Sequence, residues 1–77
     1  MPTVLRQNGF RFFFYSNEHL PEHIHFEGKG GEGKIELNSL ILVYSFNLKK
    51  KDLKLILNIV EEQRFFFLKR WNEFYER

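Results

Sequence analysis

The stretch Thr3–Tyr15, TVLRQNGFRFFFY, decides the fold. Asn8-Gly9 separates two β-rich runs, and a type I′ turn needs positive φ at both central residues, which Asn and Gly adopt with least strain. Two strands are therefore expected, about Thr3 to Gln7 and Phe10 to Tyr15. A two-residue turn fixes their register, so Gln7 opposes Phe10, Arg6 opposes Arg11, Leu5 opposes Phe12 and Val4 opposes Phe13. One face of this hairpin carries Leu5, Phe10, Phe12 and Phe14 toward a core. The other carries Val4, Arg6, Arg11, Phe13 and Tyr15.

Downstream, Ser16–Glu22 is a polar connection rich in turn formers. His23–Glu27 alternates strictly, with Ile24 and Phe26 on one side and His23, His25 and Glu27 on the other. Gly28–Gly33 reads as a flexible loop and Lys34–Leu37 alternates again. If that loop closes a second hairpin, apolar positions match when Phe26 faces Ile35 and Ile24 faces Leu37. His25 then opposes Glu36, and Glu27 opposes Lys34. Leu40–Phe46, LILVYSF, is β-rich and suits a fifth strand or a short buried helix; periodicity does not choose between them.

From about residue 48 to 76 neither Gly nor Pro interrupts the chain. Leu53, Ile56, Leu57, Val60, Phe67, Leu68, Trp71, Phe74 and Tyr75 recur at helical spacing, which predicts a helix of roughly 40 Å. That length exceeds what a small globule needs, so a kink near Gln63-Arg64 or a projecting end is expected. Asn47 is the N-cap candidate, and Lys49, Lys50, Lys51 and Lys54 crowd the positive end of the helix dipole beside Asp52 alone. Leu55, Ile59 and Phe66 fall off the main stripe and mark a candidate partner surface, unless Leu40–Phe46 wraps the helix and covers them. The fold class is α+β, with residues 1–77 as one domain. A small antiparallel sheet of two N-terminal hairpins, four to five strands over about 3–46, packs against a long C-terminal helix.

Composition narrows the function classes. Seventy-seven residues bury too little surface for two cores, and ten Phe, three Tyr and one Trp supply the bulk of one. With no cysteine there is neither a disulfide scaffold nor thiolate chemistry, which fits a cytoplasmic setting. The opening MPTVLRQNGF lacks the basic and apolar regions of a secretory signal, and no apolar run is long enough to span a membrane. A formal charge of +2 neither requires nor forbids a nucleic-acid partner.

All three histidines, His19, His23 and His25, fall within seven residues. Imidazole holds or releases a proton near neutrality and is the commonest metal ligand. Three readings stay open. Arg6 and Arg11, like charges placed opposite each other, could seat a phosphate, with His23, His25 and Tyr15 as acid and base of a metal-independent ribonuclease; alternatively a carboxylate such as Glu27 or Glu36 neutralises the arginines. His19, His23, His25 and Glu27 make a chemically reasonable set for Zn²⁺ or Ni²⁺. Finally, the histidines are structural and the chain is a module that binds a protein partner or itself through its helix.

The chain also resembles a known family. MPTVLR, Gly9 with Arg11–Ser16 (RFFFYS), His19-x-Pro-x-His-x-His25 and the C-terminal Trp71-Asn-Glu-Phe are similar to the small bacterial proteins called domain of unknown function 4160. Arg6, Arg11, Tyr15, His19, Pro21, His23 and His25 stand at its motif positions. The resemblance implies no reaction, but it does imply a component of a toxin–antitoxin-like two-gene module with a cognate protein partner; joined to the Arg/His face, it makes the leading reading a subunit that engages RNA or another phosphate-bearing ligand. Two departures stand out: Lys49 replaces a small capping residue, and LILVYSF is unusually apolar.

Overall fold

Positive φ at Asn8 (55°) and Gly9 (84°) closes the first hairpin in the computed structural model, which describes residues 3–75. Strands β1 (Thr3–Gln7) and β2 (Phe10–Phe13) pair Gln7 with Phe10, Arg6 with Arg11 and Leu5 with Phe12, as the turn dictates. The expected Val4–Phe13 pair is replaced by Thr3–Phe13, because the register shifts between Thr3 and Leu5. An irregularity of this kind places an extra residue in one strand, and it turns Val4 into the core.

The second hairpin differs more. Lys29 (φ 52°) and Gly30 (φ 83°) form a two-residue turn between β3 (His23–Gly28) and β4 (Gly31–Glu36), so Gly31 and Gly33 are strand residues and no long glycine loop exists. The register moves by two: Ile24 faces Ile35, Phe26 faces Gly33, His25 faces Lys34, Glu27 faces Glu32 and His23 faces Glu36. A shift of two keeps every side chain on its expected face while changing its partner. Gly33 explains the preference. A Cβ there would lie 2.3 Å from Cζ of Phe26 and 2.6 Å from the Tyr44 carbonyl oxygen, so the bare backbone makes room for the Phe26 ring.

Leu40–Phe46 resolves as β5 (Leu42–Phe46), the free edge of a five-stranded antiparallel meander ordered β1-β2-β3-β4-β5. Left-handed residues flank it, Leu40 and Asn47, each with φ 60°. Asn47 does not cap the helix; its amide donates to the Gly30 carbonyl at 2.8 Å, and Lys49 takes the N-cap without a side-chain hydrogen bond. The helix divides at the expected place into α1 (Lys50–Glu62) and α2 (Arg64–Tyr75), hinged at Gln63. Residue 76 of the expected helix lies outside the described residues.

Both helices pack on the Phe12 side of the sheet. The Phe12 ring sits 6.5 Å from Phe26 and 5.6 Å from Phe67, and Phe14 meets Trp71 edge-on at 5.3 Å. Ile56, Ile59 and Val60 complete this core, and burial of each large side chain contributes about 1.5–3 kcal/mol. Ile59 is thus buried rather than part of a solvated partner face, and Leu55 is half-buried. The break at Gln63 frees α1 to roll Ile59 inward independently of the α2 stripe. Phe66 is 38% exposed. Among the described residues no helix is long and apolar enough to cross a membrane.

Candidate functional site on the uncovered face of the sheet

Apart from Trp71, which reaches His23, the helices leave the other face of the sheet uncovered. Directly opposed residues of an antiparallel sheet share a face, so the register lays out rows across this surface. One row runs Arg6, Arg11, Glu27, Glu32, Phe46; the next, about 7 Å along the strands, runs Phe13, His25, Lys34, Tyr44. His23 and Glu36 form a third. Arginines and imidazoles therefore do share one face.

The arginine row is internally neutralised. Nε of Arg11 donates to Oε2 of Glu27 at 2.8 Å and Nη1 to the Thr3 hydroxyl at 2.9 Å, while the guanidinium lies 4.1 Å above the centre of the Phe13 ring. Arg6 is exposed on edge strand β1.

The imidazole row is organised by a residue the sequence analysis did not single out, Glu18. Nδ1 of His23 donates to the Pro21 carbonyl at 2.8 Å, and Nε2 of the same ring is hydrogen-bonded with Oε1 of Glu18 at 2.7 Å. Nε2 of His25 approaches Oε2 of Glu18 to 2.9 Å, yet lacks hydrogen-bonding direction and has no hydrogen-bond partner. The three side chains are only 6–8% exposed. The backbone N–H of Tyr15 donates to Glu18 at 2.9 Å, and the Tyr75 hydroxyl donates to the Tyr15 carbonyl. His23 meets Trp71 edge-on at 5.1 Å, and His25 lies between Phe13 and Tyr15. Burial holds the His25 imidazole below its usual range, against the attraction of Glu18; His23 and Lys34 push the same way as burial. Burial, and then Glu18, pushes the Tyr75 phenol up.

The family profile described as Domain of unknown function (DUF4160) matches residues 9–72. The chain belongs to that family. No curated protein and no solved structure matches it. The span shared with DUF4160 contains Glu18, all three histidines and Arg11, whereas Arg6 and the whole of β1 precede it.

Other candidate residues are dispersed. His19 is exposed and lines a small cavity with Leu20, Lys34, Glu36 and Val43, beside Glu18 and His23 but outside their cluster. Glu27 is committed to Arg11, and His25 faces Lys34 rather than Glu36. Of the four expected metal ligands the structure unites two, His23 and His25, through Glu18. The available signal for Glu18 was chemical: two imidazoles on a strand face call for a carboxylate, and the polar turn Ser16–Glu22 holds acids that strand periodicity ignores. Beyond Lys34, the DUF4160 domain ends this face in an apolar margin. Ile41 is 58% exposed, Val43 45%, Tyr44 44% and Phe46 66%.

Proposed function

We propose that the protein is an interaction module that docks a protein chain along β5 and the apolar margin of the open sheet face. The observation that carries this reading is a free edge strand with Ile41, Val43, Tyr44 and Phe46 exposed together. An edge strand presents unpaired N–H and C=O groups to any added strand, and natural edges are usually blunted by charge, proline or bulges. Ser39–Phe46 carries neither charge nor proline, and its one irregularity against β4 falls at Val43, between the Lys34–Tyr44 and Ile35–Leu42 pairs. Strand addition draws affinity from main-chain hydrogen bonds and specificity from alternate side chains.

A second copy is the favoured occupant. Antiparallel pairing of β5 with itself about Tyr44 sets Leu42 against Phe46 and Val43 against Ser45, with no like charges opposed. A cognate partner from a toxin–antitoxin-like pair, which the family resemblance suggests, is the competing occupant. RNA engagement through Arg6 and Arg11 has less support, since Arg11 is held by Glu27 and the imidazoles are buried. Sedimentation from micromolar to millimolar concentration tests the reading. Wild type should pass from monomer to dimer, and Val43→Lys should stay monomeric with an unchanged circular dichroism spectrum. A wild type that remains monomeric throughout, or a Val43→Lys variant that dimerises equally well, would contradict it.

A further inference from the structure

Independently of any docking at β5, we propose that Glu18, His23 and His25 form a binding site for one divalent transition-metal ion of the Zn²⁺ or Co²⁺ class. Their ligand atoms, one carboxylate oxygen and two imidazole nitrogens, all lie within 4.8 Å of one another. Two imidazoles with one carboxylate is a donor set that borderline divalent ions accept, and the chain offers no thiolate to favour softer ones.

Hydrogen-bond accounting points the same way. A neutral imidazole has one N–H and one lone pair. The Pro21 carbonyl takes the Nδ1 proton of His23, which is the outer-sphere contact that fixes a metal-binding tautomer and turns the Nε2 lone pair to the metal. That leaves Nε2, in a residue 4% exposed, directed at Oε1 of Glu18 2.7 Å away. His25, 7% exposed, aims Nε2 at the same carboxylate with no hydrogen bond formed. A single cation satisfies both nitrogens and the carboxylate at once. Ligands bound tetrahedrally at 2.0–2.1 Å sit about 3.3 Å apart, so the 2.7 and 2.9 Å contacts, one to each carboxylate oxygen, open by about half an ångström, while the widest separation in the set, up to 4.8 Å, closes by about 1.5 Å.

Glu18 lies in the connection between β2 and β3, the imidazoles lie on β3, and Trp71 of α2 covers His23. An ion would therefore tie loop, sheet and helix together. Trp71 is the sole tryptophan and sits against a ligand, so paramagnetic Co²⁺ should quench its fluorescence, saturating at one equivalent. Calorimetry with Zn²⁺ at neutral pH should give one ion per chain and a raised Tm. Glu18→Gln and His25→Gln should each weaken binding at least tenfold, and His19→Ala should leave it unchanged. If those two variants do not fold, the wild-type Co²⁺ titration decides: saturable quenching at one equivalent supports the site, and none overturns it. Binding lost in His19→Ala but kept in a folded His25→Gln would likewise overturn it.

Discussion

Two carboxylates on one sheet face make opposite predictions, and the contrast follows from burial. Glu18 is 8% exposed, contacts two buried imidazoles at 2.7 and 2.9 Å and accepts from the Tyr15 backbone. Removing one member of a buried ion pair costs about 3–5 kcal/mol, because the partner is left uncompensated. Total stability for a chain this size is roughly 4–12 kcal/mol at 0.05–0.15 kcal/mol per residue, so Glu18→Ala removes a large share of it. Glu27 is 46% exposed in its bridge to Arg11, and exposed pairs are worth about 0–1 kcal/mol after solvent screening. Urea unfolding followed by Trp71 fluorescence reads both variants. If Glu18→Ala leaves no folded baseline, Glu18→Gln, which keeps the size, should still cost more than Glu27→Ala. A Glu18→Ala variant within about 0.5 kcal/mol of wild type, or one milder than Glu27→Ala, would refute the reasoning.

Three further outcomes follow from the geometry. His25 has a folded pKa below its unfolded value of 6.5, so the unfolded chain binds more protons on acidification and this stability, full above 6.5, is lost as pH falls; urea midpoints from about pH 8 to about pH 5 should drop more steeply in wild type than in His25→Gln. Gly33→Ala forces a methyl into the Phe26 ring and the Tyr44 carbonyl, an overpacking cost of about 1–3 kcal/mol visible as a lowered Tm. Ile59→Ala, in the core, should cost about 2–5 kcal/mol, whereas exposed Phe65→Ala should stay within about 0.5 kcal/mol; chemical denaturation that ranks them the other way would contradict the placement of α1.

The parts of the fold governed by local chemistry were legible. Asn8-Gly9 set the first hairpin, alternation gave β3 its faces, and the helical run with its break near Gln63 followed from spacing and length. Partner choice was not. The Val4 irregularity and the two-residue slip of β4 both depend on cross-strand volume, Val4 filling the core and Gly33 yielding to Phe26, and neither leaves a trace in periodicity. Gly28–Gly33 illustrates the difficulty, since glycine favours loops yet also permits close approach within a sheet. For the candidate site, the sequence identified His23 and His25 and put them on one face. It did not yield Glu18, because a carboxylate on a turn has no phase relation to a strand and reaches the imidazoles only through the path of Ser16–Glu22. The apolar character of LILVYSF was plain, while its place at an exposed edge required the strand order.

The central claim is that Glu18 joins His23 and His25 in one buried cluster from which His19 is excluded. Imidazole nitrogen NMR tests it most directly, since three histidines give three resolvable sets of signals. Glu18→Gln should move the ring nitrogens of His23 and His25 together, keep the Nδ1 proton of His23 on the Pro21 carbonyl, and leave His19 where it was. Signals of His23 and His25 that ignore the substitution, or a His19 signal that moves with them, would contradict the account.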